Sequence, residues 1–299
     1  MRVFVTGATG FVGSAVVQEL LDAGYEVLGL ARSAAAAESL AATGAAVHRG
    51  SLEDSDSLRR GAEAADGVIH TAFIHDFSKF AQNCEIDRQA IEAIGSVLEG
   101  SQRPLLVTSG VALLAQGRVA TEDDGPVPVS DSYPRSSEVT ATALAARGVL
   151  ASVVRLAPSV HGRGDHGFVP HLIRVAREKG VSAYIGDGLN RWPAVHRRDA
   201  ARAFRLALER RAAGAKYHAI DEPGIAFREI AQAIGRGLDV PVVALAPEAA
   251  AAHFGWFARF AMIDAAASSQ RTREVLGWQP TQPGLLDDID AAGYFESAA

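Results

Sequence analysis

The chain has little that could crosslink or anchor it. One of its 299 residues is a cysteine, Cys84, which excludes an internal disulfide and any metal site built from several thiolates. A buried structural thiol is its expected role. No apolar run approaches the roughly 20 residues of a membrane span. The first strand starts at Arg2 and leaves no room for a leader, so the expected compartment is cytoplasmic. Basic runs are missing too: 29 basic residues stand against 35 acidic ones, a net charge of −6. That balance argues against nucleic acid or an anionic membrane as partner and leaves a small molecule. Lysine is scarce, with only Lys79, Lys179 and Lys216 in the chain. Otherwise the 48% hydrophobic and 21% charged content is that of a globular protein. The length suits one large α/β domain with a smaller lobe.

What is present begins at the first residues. Met1–Thr6 reads as a buried strand, Gly7-Ala8-Thr9-Gly10-Phe11-Val12-Gly13 as a turn, and 14–23 as a helix. A glycine-rich turn between strand and helix is a seat for a dinucleotide pyrophosphate. Gly7 permits the tight turn, Gly10 lets the backbone approach the phosphates, and Gly13 lets the helix pack close to the strand. Further strands are expected at 26–31, 45–49, 67–72, 104–108 and 150–156. Helices are expected at 34–42, 55–64, 84–99 and 136–146. Apolar strands alternating with helices predict a Rossmann-type doubly wound parallel sheet, with binding at the carboxyl ends of its strands.

Residues 1–160 form the expected dinucleotide-binding domain. Residues 161–299 are expected to be mainly a substrate-binding lobe, with some segments returning to the sheet. Helices at 169–178, 199–210 and 227–235 and strands at 183–185 and 217–220 are expected there. The lobe's Phe168, Trp192, Phe254, Trp256, Phe257, Phe260 and Met262 suit either its core or an apolar substrate pocket. The Ala-rich 136–146 helix suits either a homodimer interface or packing within the domain.

At the end of the second strand, where an acidic residue would bind a free ribose 2′-hydroxyl, the sequence has Arg32-Ser33. A guanidinium and a hydroxyl suit a 2′-phosphate, so NADP(H) is expected over NAD(H). Ser51 and Leu52, past the third strand, should border the adenine. Ala72 and Phe73, past the fourth, should border the ribose and pyrophosphate. The expected cofactor-facing set is Thr6, Gly7, Thr9, Gly10, Phe11, Val12, Gly13, Arg32, Ser33, Ser51, Leu52, Thr71, Ala72, Phe73, Thr108, Pro158 and Val160.

The Thr6–Gly13 turn, Val68–Ala72, Val107-Thr108-Ser109, Arg155–Gly162, Ala194–Ala201 and Leu276-Gly277-Trp278-Gln279-Pro280 occur in an order that resembles the extended short-chain dehydrogenase/reductase superfamily of the NAD-dependent epimerase/dehydratase type. The resemblance covers nearly the whole chain. It implies chemistry by serine, tyrosine and lysine, the last two spaced Y-x-x-x-K. The tyrosine exchanges a proton with the substrate oxygen, while the lysine binds the nicotinamide ribose and lowers the phenol pKa from about 10.

Here Tyr133 takes the tyrosine's place, Ser137 replaces the lysine, the serine position falls on Ser109 or Gly110, and Asp87 stands where asparagine is usual. Pro134 disfavours helical geometry at Tyr133 and predicts a loop there. Tyr133 is a candidate acid or a pocket wall. His75, Lys79, His161 and His166 are candidates to supply the missing charge or proton. Their spacing supports no metal site. The expected function is reduction of a carbonyl or similar group on a small, fairly apolar substrate by NADPH. The alternatives are a cofactor-retaining epimerase or dehydratase and a non-catalytic dinucleotide-sensing regulator.

Overall fold

The computed structural model describes residues 1–291 and 293–296. Strand and helix alternate through β1 (Arg2–Thr6), α1 (Phe11–Asp22), β2 (Glu26–Ala31), α2 (Ala34–Ala41), β3 (Ala46–Arg49), α3 (Ser55–Glu63), β4 (Gly67–His70), α4 (Phe80–Leu98), β5 (Pro104–Gly110), α5 (Ser137–Ala146) and β6 (Leu150–Leu156). There follow β7 (Ser159–His161), α6 (Phe168–Lys179), β8 (Ser182–Ile185), β9 (Arg191–His196), α7 (Arg197–Arg210) and β10 (Lys216–Ala219). The chain continues through β11 (Glu222–Ala226), α8 (Phe227–Leu238), β12 (Val242–Leu245), α9 (Ala250–Phe254), α10 (Ala258–Ala261), α11 (Gln270–Leu276) and α12 (Leu285–Ala291).

The main sheet is parallel, in the order β10-β6-β5-β4-β1-β2-β3. This is the doubly wound Rossmann arrangement. Both of its faces are buried, which is why its strands read as unbroken apolar runs. Within β1, Val3 and Val5 enter one core with Val16 and Leu20 of α1 and Phe204 of α7. Phe4 points the other way, into a second core with Leu58, Ile91, Ile94 and Leu144. The strand order reverses between β1 and β4, where Thr6 lies beside His70. That crevice is the expected ligand position.

β4 ends at His70, two residues earlier than the sequence predicts, because Thr71 turns back onto β1. Its N–H and its hydroxyl both donate to the Thr6 carbonyl, at 3.3 and 2.8 Å. α4 begins a turn earlier than expected, at Phe80.

Past residue 157, β7, β9 and β11 form a three-stranded sheet and β8 and β12 a two-stranded one. Of these five, the sequence signals only β8. β7 has three residues and β12 four, and Pro193 in β9 and Pro223-Gly224 in β11 interrupt the strand pattern. Trp192, Phe254 and Phe257 lie in the lobe's core, with Phe168 and Phe260 packed against it. The pocket reading is therefore corrected for them; Trp256 and Met262 alone are solvent-exposed. α7 packs on the α1 side of the main sheet, and β10 pairs with β6. No helix among the described residues is long and apolar enough to cross a membrane.

Candidate functional site

The turn after β1 is held by backbone alone. Gly7 has φ +70° and its carbonyl accepts from the Gly10 N–H at 2.9 Å. A Cβ on Gly13 would sit 2.0 Å from that carbonyl oxygen, and one on Gly7 would sit 2.8 Å from the Ala72 nitrogen. No side chain caps α1 at Gly10, so the N–H groups of Phe11, Val12 and Gly13 lack helical partners and face the turn. Open backbone donors at a helix N-terminus, approached without side-chain obstruction, fit a pyrophosphate. The Arg197 guanidinium lies 4.5 Å from the Phe11 ring centre and donates to Ser14 Oγ at 2.7 Å. The His166 ring meets the same Phe11 edge-on at 5.7 Å. Thr9 is exposed on the turn.

At the far end of the cradle, Arg32 is exposed and its guanidinium has no hydrogen-bond partner among the described residues, while Ser33 Oγ caps α2 through the Ala36 N–H at 3.1 Å. Arg49 joins this corner, donating to the Ser33 carbonyl at 2.5 Å and the Arg32 carbonyl at 3.5 Å. Parallel pairing of Ala31 with Arg49 brings it to the Arg32 corner. Ser51 and Leu52 are half-buried beyond β3, Thr108 Oγ1 ties β5 to the His70 carbonyl at 2.8 Å, and Val160 pairs with Val195 beside a half-buried Pro158.

A shallow recess opens beyond β5, lined by Ser109, Leu114, Val127, Tyr133, Arg135 and Glu138 among others. It neighbours the cradle through one short step of chain. Ala72 borders Gly7, and the next residue, Phe73, lies under the Arg135 guanidinium at 4.4 Å. Tyr133 sits on a loop, as Pro134 predicts, closed by mutual backbone bonds with Ser130 at 3.0 Å. Burial raises the Tyr133 phenol above its usual 10, and the Arg135 charge opposes that rise.

Below the recess runs a buried chain of polar groups. Ser137 Oγ donates to Asp87 Oδ2 at 2.5 Å, and Arg135 Nε donates to Ser137 Oγ at 3.1 Å. His70 Nε2 lies 3.0 Å from Asp87 Oδ1, and its Nδ1 lies 2.9 Å from Thr6 Oγ1. Burial pushes the Asp87 carboxyl up, but the bond and charge of His70, with help from Arg135 and Ser137, hold it below 3.8. Glu138 pairs with Arg155, which is fully buried and also contacts His218 Nε2 at 3.1 Å.

Two candidates for the missing charge are corrected. His161 is buried against Asp288 of α12, 2.7 Å away, and edge-on to His196, so it joins β7 to the end of the chain. Lys79 is exposed on a 3₁₀ turn near Asp76 and does not line the recess. His75 is exposed beside Phe73, the two ring centres 5.4 Å apart, and does not line the recess. The protein packed around it lowers its pKa from 6.5, as do the charges of Arg135 and His166. Arg135 was visible in the sequence, two residues past Tyr133. The Y-x-x-x-K spacing points to position 137 instead.

The family model for the NAD dependent epimerase/dehydratase family matches residues 3–221. The chain belongs to the NAD-dependent epimerase/dehydratase family. This epimerase/dehydratase-family chain is 51% identical to an uncharacterised protein of Schizosaccharomyces pombe over 99% of its own length and 100% of that protein's. An uncharacterised protein of Saccharomyces cerevisiae is 47% identical over 97% and 98%. At 27% identity, over 85% and 80%, it is similar to the 4-hydroxy-2-methyl-3-oxo-4-farnesyl-3,4-dihydroquinoline-1-oxide ketoreductase of Stigmatella aurantiaca. The dTDP-glucose 4,6-dehydratase of Streptomyces venezuelae, solved with NAD and TYD bound, shares its fold with a TM-score of 0.78 at 21% identity, covering 99% of this chain and 96% of that one. Members of the superfamily are NAD(P)-dependent oxidoreductases, epimerases and dehydratases. In this epimerase/dehydratase-family chain the glycine turn keeps the usual pattern, while positions 87 and 137 do not.

Proposed function

We propose that the chain is an NADPH-dependent reductase of a carbonyl group on a small, largely apolar substrate. The observation that carries this reading is the recess beside the cradle, where Ser109, Tyr133 and Arg135 share a wall with Leu114, Pro126, Val127 and Val139. The low-identity ketoreductase relative supports the same reading.

Bound NADPH would supply the hydride at nicotinamide C4. The Tyr133 O–H gives its proton to the carbonyl oxygen as the carbonyl carbon is reduced to C–H. The Ser109 O–H donates a hydrogen bond to the same oxygen and orients it. The apolar wall holds the substrate and keeps water from the reacting carbon. Arg32 and Arg49, two guanidinium groups at one corner with no carboxylate paired to either among the described residues, favour the 2′-phosphate of NADPH.

The test is a panel of aryl and alkyl ketones and aldehydes with NADPH or NADH. Net NADPH oxidation with formation of an alcohol is expected. Tyr133→Phe should lower kcat by about 10²–10⁴-fold while cofactor binding is kept, the range for loss of a general acid. Replacing Arg32 and Arg49 by Ala should weaken NADPH but not NADH by about 10²-fold or more, the size of two lost charge-assisted contacts. Substrate conversion without net NADPH oxidation would instead mark a cofactor-retaining epimerase or dehydratase. Tight cofactor binding with no turnover on any carbonyl would mark a sensor.

A further inference from the structure

We propose that Arg135 is the site's cation, standing in for the lysine that position 137 lacks, and that Ser137 and Asp87 are its positioning residues. The proposal rests on Tyr133 being the proton donor of the reductase reading. It arises from the direction of the hydrogen bonds. An ionised Asp87 can only accept, so the Ser137 hydroxyl and His70 Nε2–H must both point at it. On the far side of the ring, His70 Nδ1 lies 2.9 Å from the Thr6 hydroxyl. With its proton committed to Asp87, Ser137 Oγ offers a lone pair to Arg135 Nε, and the Phe73 ring supports the guanidinium from its face. The chain thus fixes Arg135 at one nitrogen. Neither terminal nitrogen has a protein partner among the described residues, and no carboxylate is paired with the group.

The two departures at positions 87 and 137 are therefore one change. A lysine at 137 would ion-pair with Asp87, and the two charges would cancel. Serine passes on the acceptor and leaves the positive charge at 135. In the step it serves, the Tyr133 O–H bond breaks, its proton goes to the carbonyl oxygen and the electron pair stays on the phenol oxygen. The hydride from NADPH forms the new C–H bond, and water returns a proton to the phenolate. Arg135 stabilises that phenolate. The other groups facing Tyr133 oppose it: Cys84 of α4, itself pushed up to about 11 by burial, and Glu138 of α5.

The experiment places a fluorinated tyrosine at position 133, which brings phenol ionisation into the pH range where the fold holds, and follows its fluorine resonance against pH. Arg135→Met should raise the transition by about one pH unit, a tenfold change in phenolate fraction. Arg135→Lys should restore most of it, and Ser137→Ala and Asp87→Asn should each raise it by a smaller amount. An unmoved transition in a folded Arg135→Met variant overturns the proposal, as does an Arg135→Lys variant that behaves like Met. If Arg135→Met unfolds the chain, Arg135→Lys against Ser137→Ala decides by the same readout. The titration needs no substrate, so failure to oxidise NADPH sinks the reductase reading alone.

Discussion

The cradle and the recess adjoin across a single residue, Phe73, yet they are built in opposite ways. The cradle is backbone: glycine φ angles, unpaired N–H groups and places where a methyl group cannot fit. The recess is side chain, drawn from β5, the loop before α5 and α5 itself, and held in place by buried polar pairs from α4 and β6. A backbone site is fixed by a few local residues and tolerates no substitution there. A side-chain site can move its charge from one position to another, provided the supporting bonds move with it. That is how a chain can keep its cofactor turn and still lose the lysine.

The largest expected effect is in the support of the recess. Arg155→Met leaves Glu138 buried and unpaired, and should cost about 3–5 kcal/mol of stability, the range for breaking one side of a buried ion pair. Chemical denaturation measures it. A loss under about 1 kcal/mol would mean the pair is dispensable, and the contrast with the cradle would weaken.

Next comes the cradle. Gly13→Ala puts a Cβ 2.0 Å from the Gly7 carbonyl oxygen, where backbone must move. Overpacking of this kind costs about 1–3 kcal/mol. NADPH binding should weaken at least as much, by roughly tenfold or more, because the displaced turn carries the phosphate donors. Calorimetric binding that matches the wild type would show that the turn does not hold the cofactor.

The smallest effect is on the acid limb of stability. Burial, together with Arg155, lowers the folded pKa of His218 from 6.5, and the nearby carboxylates oppose this. The unfolded chain therefore binds the proton more readily. Stability from this group is intact above pH 6.5 and falls as pH drops from there through the folded value. His218→Gln should flatten the pH dependence of the melting temperature just below pH 6.5 without touching cofactor affinity. An unchanged slope would show that other groups govern it.

The first half of the fold was legible because its strands are continuous apolar runs, and β2 and β6 fall at the expected residues. The second half was less so: β7 and β12 are only three and four residues long, and Pro193 in β9 and Pro223-Gly224 in β11 break the periodic signal. The site divides in the same way. Thr6–Gly13 names its ligand in sequence, since the turn and the helix behind it are contiguous. Asp87 and Ser137 are fifty residues apart in the chain, and only α4 packing on α5 makes them one hydrogen bond. Arg49 reaches the Arg32 corner through strand register. His161 leaves the candidate set because α12, from the far end of the chain, brings Asp288 to it.

The sequence by itself determined the parallel sheet and the dinucleotide seat, because both follow from local patterns of apolar residues and glycine. The tertiary structure decided where the positive charge of the recess lies. A charge takes its role from the groups that solvate and pair it, and here those groups come from separate elements that meet only when the chain is folded.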